Sequence, residues 1–510
     1  MVADQAMSIR KGAPARPNVL LVLADDHAQW AAGCYANREI RSPSMDYLAA
    51  TGVRMANAFT PSPVCSPARA SLWTGKIPSQ HGVHDYLGDA VAEAVDRPWM
   101  NEHVTLADRF HREGYTTGLV GKWHLGDSKH RPAGFDYWYV KSGPLSASEG
   151  HDSPWATAPR DLDRYNPHTL ADHAVHFLRE RDQSVPFFLT VGFFATHSPW
   201  FGHAERLVDS YRKCTFDDIP SDPVHPFGSL TSEARYVTRD NRTESLAQYY
   251  AAVTEIDEQL GRLLDELDSQ GVADNTVVVY TSDHGLNTGH HGIWGKGNAT
   301  HPYNMVEESI RVPLLIKAPG QTLPGQTRLE PVTHCDLHLT LLDLAGITPQ
   351  SADLAKLPGR SFLPLCRGEA QADWPRIVFG EYGDLRMART ERFKLIVRFG
   401  RGDDELFDLA GDPRETCNLA TSQTYRAVLD DLRASLTSYF QRWEDPAVSG
   451  LRVRELPRHN IEEDWRCDHT HPLYERPLWL EQLAAGGDKI SRPGVDASAD
   501  GDRAPEKVVQ

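Results

Sequence analysis

The chain has 510 residues, 40% hydrophobic and 24% charged, with a formal net charge of −17. That length exceeds one small core and predicts two or three domains of an ordinary globular kind. The acidic balance, with no basic run to offset it, excludes a general nucleic-acid binder and obliges any anionic ligand to meet a local cationic pocket.

Residues 1–16, MVADQAMSIRKGAPAR, read as an N-terminal arm without the apolar run of a signal-peptide core. No later stretch reaches the apolar length of a membrane span, so a cytoplasmic location without membrane contact is expected. Cysteines at 34, 65, 214, 335, 366, 417 and 467 are scattered and lack CxxC spacing. That pattern fits a reducing compartment and no zinc site.

NVLLVLADD (18–26) is a continuous β-branched and leucine run, the pattern of a strand buried on both faces. SPSMDYLAATG (42–52) follows as a helix, with Ser42 or Ser44 as cap and Gly52 as stop. TTGLVGKW (116–123), VPFFLTVGFF (185–194), NTVVVYTSD (275–283) and VPLLIKAP (312–319) read as further buried strands, and 244–271 as a long helix. This alternation predicts an α/β fold, a mostly parallel central sheet flanked by helices. Ligands of such sheets collect beyond the carboxyl ends of the strands.

From about 376 the texture changes to short antiparallel strands joined by tight turns. The expected organisation is a catalytic body over 17–375 and a smaller C-terminal α+β domain with an antiparallel sheet over 376–445. A tail follows over 446–510, able to wrap the body or contact a second subunit, so a homo-oligomer is left open. Within it, 486–510 is polar and expected to be disordered.

Two strand ends carry acids. Asp25 and Asp26 close the first strand, and Asp283 with His284 closes TSDHG (281–285). Adjacent carboxylates repel unless neutralised, and three of them with one imidazole suit a divalent cation, calcium or magnesium rather than zinc. Cys65 lies in PSPVCSPARASLWTGK (61–76), where Pro67 fits the first turn of a helix. A phosphatase-type thiolate loop would need Arg at position 71, which is Ser71; Arg69 stands instead one turn after Cys65. Cys65 therefore sits at a helix N-terminus, where orphan amides and Arg69 favour an anion.

Cys65-Ser-Pro67-Ala-Arg69 with LWTGK (72–76) resembles the signature of the type I, formylglycine-dependent sulfatases of the alkaline-phosphatase-like superfamily. LADDH (23–27), GKWHLG (121–126), FFATHSPW (193–200), SDHG (282–285) with WGKG (294–297), and the 394–420 stretch resemble further family elements in order. The likeness runs from about 17 to 425. It implies a sulfuric ester hydrolase in which Cys65 is oxidised to Cα-formylglycine by a formylglycine-generating enzyme and hydrates to a geminal diol. It further implies that Asp25, Asp26, Asp283, His284 and modified Cys65 hold one divalent cation, calcium first, with magnesium or manganese as alternatives. Arg69, Lys122 and Lys296 would surround the sulfate, and His197 or Lys296 would protonate or hold the departing oxygen. His124 would take a proton from the second hydroxyl, which expels sulfate and regenerates the aldehyde. The substrate implied is an aryl, alkyl or sugar sulfate monoester.

Two alternatives stand beside this one: a phosphonate monoester or phosphodiester hydrolase on the same site, and a non-catalytic sulfate-ester or glycan binder that keeps an unmodified cysteine. His84, Asp85 and His301 are further candidates for the substrate side. Trp99, Trp138, Tyr139, Trp155 and Trp200 are candidates either to stack on a ring or to pack under long loops.

Overall fold

The structure, a computed structural model, describes residues 16–140, 166–198, 200–220, 222, 223, 225, 242–399 and 402–466. Trp155, Cys467 and the 486–510 segment lie outside the described residues.

The first strand, β1 (Asn18–Ala24), is buried at every position. Val19, Leu21 and Leu23 enter one core, while Leu20, Val22 and Ala24 enter another. A strand covered by helices on both faces needs this uninterrupted apolar run. It joins β2 (Val53–Met55), β3 (Thr116–Gly121), β4 (Tyr137–Val140), β5 (Phe187–Gly192), β6 (Thr276–Ser282), β7 (Leu314–Lys317) and β8 (Gln326–Arg328) in one sheet, in the order β8-β2-β7-β6-β1-β5-β3-β4. Every neighbouring pair is parallel except those of β7, which runs antiparallel to β6 and β2. The chain leaving β6 stays at the carboxyl rim, where it supplies site residues, and β7 then descends from that rim.

Two helices show how the faces are covered. Trp73 of α2 (Cys65–Thr74) lies in the first core, and Ile256 and Leu263 of α3 (Arg242–Ser269) lie in the second. The start of α1 (Pro43–Thr51) corrects the expected cap. The Ser42 hydroxyl accepts from the Gly33 amide, and Asp257 of α3 caps α1 instead, accepting from the Ser44 amide at 3.0 Å and the Met45 amide at 2.8 Å. A carboxylate satisfies two orphan amides where one hydroxyl satisfies a single one.

Gly121, the last residue of β3, has φ of 103°, and a Cβ there would lie 2.0 Å from the Gly192 carbonyl oxygen. The close approach brings the ends of β3 and β5 together. Gly121→Ala is expected to lower stability by about 2–3 kcal/mol, read as a shift of the denaturant midpoint.

Beyond the body, β9 (Ile377–Tyr382), β10 (Leu385–Thr390), β11 (Phe393–Val397) and β12 (Glu405–Asp408) form an antiparallel meander covered by α4 (Arg426–Trp443). Buried ion pairs weld it to the body: Glu307 receives Arg389 at 3.0 Å and Lys394 at 3.3 Å, beside a His291–Glu308 pair at 2.5 Å. Burial pushes the Glu308 carboxyl up, but His291 prevails and holds it at about 2. A depressed carboxyl stabilises above its ordinary value of 4.5 and loses that contribution as pH falls toward 2. Glu308→Gln is therefore expected to melt lower than the parent at neutral pH, and the gap should close on acidification across that window.

Residues 444–466 return along the body as a strap. Asp445 donates its amide to the Ser79 carbonyl at 2.8 Å, and His459 stacks on Trp99 at 5.0 Å.

Candidate active site

Four adjacent strands, β6, β1, β5 and β3, end at one rim. Asp25 and Asp26 leave β1, Asp283 and His284 leave β6, Lys122 and His124 leave β3, and His197 follows β5. Parallel register, with Ala24 opposite Ser282 and Gly121 opposite Gly192, places these side chains at one level. Asp26 holds a left-handed φ of 65°. Its amide donates to Asp283 Oδ1 at 3.3 Å and its carbonyl accepts from the Tyr249 hydroxyl at 3.1 Å, contacts that offset the backbone strain.

Cys65 is the first residue of α2, preceded by extended Val64, and is 2% exposed. Its Sγ lies 3.4 Å from Asp25 Oδ1, 3.3 Å from His284 Nε2 and 3.3 Å from Lys296 Nζ. Lys296 donates to both Asp26 oxygens, at 2.7 and 3.0 Å, and Lys122 donates to Asp25 Oδ2. Arg69 donates through Nε to Asp283 Oδ2 at 2.9 Å and through a terminal nitrogen to the Lys122 carbonyl at 3.1 Å. The structure thus brings together Asp25, Asp26, Cys65, Arg69, Lys122, Asp283, His284 and Lys296. His197 reaches the edge of the group, with Nε2 4.0 Å from Asp26.

Donor atoms of Asp25, Asp26, Cys65 and His284 all lie within 4.8 Å of one another. Asp283 flanks this set, Oδ1 3.6 Å from His284 Nε2 and Oδ2 covered by Arg69. His284 donates from Nδ1 to the Gly285 carbonyl at 2.8 Å, which leaves Nε2 turned to the acids. Buried carboxylates converging with one imidazole nitrogen fit a hard divalent cation.

The charges couple strongly. Burial alone would raise the Cys65 thiol, but Lys122, Lys296 and His284 bring it well below its ordinary value. Burial disfavours charge on His197 and His284, yet the neighbouring carboxylates hold each at about 9. Burial pushes the Asp283 carboxyl up to about 7. His124 is pushed down by burial and Lys122, against the pull of Cys65 beside it; Nε2 donates to the Leu87 carbonyl at 3.1 Å.

A family model described as sulfatase matches residues 17–347 of the 510. The chain belongs to the sulfatase family. It is accordingly an enzyme of the sulfuric ester hydrolase class, with the alkaline-phosphatase-like fold. A second model, N-sulphoglucosamine sulphohydrolase C-terminal, matches residues 289–442. The N-acetylglucosamine-6-O-sulfatase of Bacteroides thetaiotaomicron is 26% identical, over 84% of this chain and 87% of its own. Among solved structures, one in complex with its substrate D-glucosamine-2-N,6-O-disulfate superposes with a TM-score of 0.70 at 24% identity, over 84% of this chain and 98% of its own. The phosphonate monoester hydrolase of Agrobacterium radiobacter does so with 0.68 at 24%, over 84% and 96%. Both share the fold.

The sulfatase opens to solvent through a cavity of about 1400 Å³ whose inner end is lined by Lys122, His124 and His197. Several candidates turn out to be structural. His84 Nε2 donates to the Val448 carbonyl at 2.7 Å, Asp85 accepts from the Tyr303 and Tyr382 hydroxyls at 2.9 and 2.7 Å, and His301 pairs with Asp464 at 3.0 Å. His84 and His301 anchor the strap directly, and Asp85 orients Tyr303, whose hydroxyl accepts from the Asp464 amide at 3.1 Å. Trp99 packs on His459, Trp138 against Trp123 and Phe135, Tyr139 on His173, and Trp200 against Tyr249 and Trp294. The cavity wall also carries Phe201, His203 and Glu255. Sequence reasoning missed all three, since His203 and Glu255 lie 52 residues apart and carry no motif.

Proposed function

We propose that this sulfatase cleaves an organic sulfate monoester and releases inorganic sulfate, with Cys65 converted to Cα-formylglycine. The observation that carries this reading is the placing of one buried cysteine, at a helix N-terminus, against Asp25 after β1, His284 after β6 and Lys296, with Lys122 on the same Asp25. Asp25, Asp26, Asp283, His284 and the side chain at 65 would hold the cation, calcium first, then magnesium or manganese. A cation there supplies Lewis acidity that favours an ionised hydroxyl and polarises a sulfuryl oxygen.

The chain's own groups divide the remaining work. Arg69, locked by Asp283 and the Lys122 carbonyl, is a fixed positive charge beside the nucleophile. Lys122 and Lys296 donate to the sulfuryl oxygens as charge grows on them during transfer. His197, at the edge of the site beside Asp26, is placed to give a proton to the departing oxygen, with Lys296 as the second donor. His124, whose Nε2 is engaged by the Leu87 carbonyl and whose ring neighbours residue 65, accepts the proton of the second hydroxyl there through Nδ1. Formylglycine at position 65 would supply that second hydroxyl, whose loss of a proton would let the carbon–oxygen bond to sulfate break and return the aldehyde. A serine would lack the second hydroxyl and stall as its sulfate ester.

Maturation by a formylglycine-generating enzyme and a cytoplasmic location belong to the same proposal; among the described residues no helix is long and apolar enough to cross a membrane. Turnover of an aryl sulfate and an aryl phosphonate monoester, measured side by side, tests the function. The sulfate should be faster, and faster phosphonate turnover overturns the reading. Mass analysis of the 61–76 peptide from the native host should find the aldehyde; an unmodified thiol there supports the binding protein instead.

A further inference from the structure

The cavity is larger than the roughly 300–1,000 Å³ of an ordinary small-ligand site, at about 1400 Å³. Its outer wall holds a histidine–carboxylate pair. His203 Nδ1 lies 2.8 Å from Glu255 Oε2, and Glu255 Oε1 accepts from the Ala204 amide at 2.6 Å. The Gln248 side chain receives the His203 amide at 3.2 Å, so the imidazole is fixed from two turns of the rigid helix α3. Burial pushes the Glu255 carboxyl up, but the bonds from His203 and Ala204 bring it below its ordinary value. The carboxylate is therefore ionised and fixes the proton on Nδ1. Nε2 is left as the acceptor, and among the described residues nothing bonds to it.

A histidine serving the core alone looks different in this chain. His27 is fully buried and pairs both nitrogens, with the Tyr280 hydroxyl at 2.6 Å and the Ala31 carbonyl at 2.9 Å. His203 is 11% exposed, pairs one nitrogen and lines the cavity that leads to Lys122, His124 and His197. Phe201 lines the same wall. A hydroxyl acceptor held rigidly on the cavity wall matches the O–H groups that a sugar ring carries at its edge. An aryl or alkyl group would leave the Nε2 acceptor dehydrated and unpaired.

We propose that His203, oriented by Glu255, accepts a hydrogen bond from a hydroxyl of the leaving group and thereby selects sulfated carbohydrates over simple aryl or alkyl sulfates. His203 is the specificity contact and Glu255 its positioning residue. The inference rests on the sulfuric ester reading above.

The test compares kcat/KM for 4-nitrophenyl sulfate with that for a panel of mono- and disaccharide O-sulfates, in the converted enzyme and in His203→Ala and Glu255→Gln. The ratio of sugar to aryl kcat/KM should fall by about 10- to 100-fold in His203→Ala, chiefly through KM of the sugar sulfate. Glu255→Gln, which keeps volume but frees the tautomer, should lower the same ratio less. Equal losses on both substrates would make His203 merely structural and overturn the proposal, as would an unchanged ratio. Should Glu255→Gln fail to fold, the ratio in His203→Ala decides alone. Wild-type enzyme that cleaves the aryl sulfate but no sugar sulfate also overturns it, while leaving the hydrolase reading intact. Enzyme that cleaves neither class removes both.

Discussion

Cys65→Ala is expected to fold normally and to turn over an aryl sulfate at least about 10⁴-fold more slowly than the converted parent, the scale of removing a nucleophile. The fold should survive because alanine is the best helix former and position 65 opens α2. Loss of one buried sulfur costs about 1 kcal/mol, since the surrounding Asp25, Lys122 and Lys296 already pair with one another and with Asp26. Cys65→Ser sharpens the result. With a single hydroxyl it should release at most one leaving group per active site and then stop, visible as a burst without steady turnover. Retained steady turnover in either variant, with circular dichroism matching the parent, would remove residue 65 from the chemistry.

Removal of the cation is expected to have the second largest effect. Dialysis against a chelator should abolish turnover, and calcium, magnesium or manganese should restore it to different extents, which ranks the ions. Asp26→Asn preserves shape but withdraws the carboxylate that faces Lys296 at 2.7 Å and His284 at 3.2 Å. Its kcat/KM should fall by on the order of 10³-fold, the equivalent of several kcal/mol of lost charge stabilisation. Elemental analysis should show less bound metal per chain. Full activity with unchanged metal content would separate Asp26 from any cation.

How much of this was legible in the amino-acid sequence depended on range. β1, β3, β5 and β6 were readable because strands buried on both faces are continuous apolar runs, and β1, β3 and β6 end at charged residues that mark the boundary. Asp25, Asp26, Asp283 and His284 were readable for the same reason, as acids stranded after such a run. The helix cap was misread because Asp257 reaches α1 across 213 residues, and no local pattern records that. The tail's capacity to wrap the body was readable from its Trp, Pro and charge, but not its anchor points, because Trp465 and His459 pack against distant partners such as Tyr303 and Trp99. Arg69, Lys122 and Lys296 were legible as cations but not as partners. Each is tied to a specific acid in the centre, a pairing set by the convergence of strand ends.

The burial of Cys65 also sets a clock for the maturing chain. Lys296, one of its neighbours, is synthesised 231 residues later. At about 5–20 residues per second that interval is roughly ten to fifty seconds on the ribosome. During it the 61–76 segment is without its native lid, and any catalyst that alters the thiol can reach it. Once β6 zips onto β1 and the lysine arrives, the sulfur is sealed. If Cys65 is converted as proposed, the conversion would have to precede this closure, and copies that fold first would stay inert however long they last.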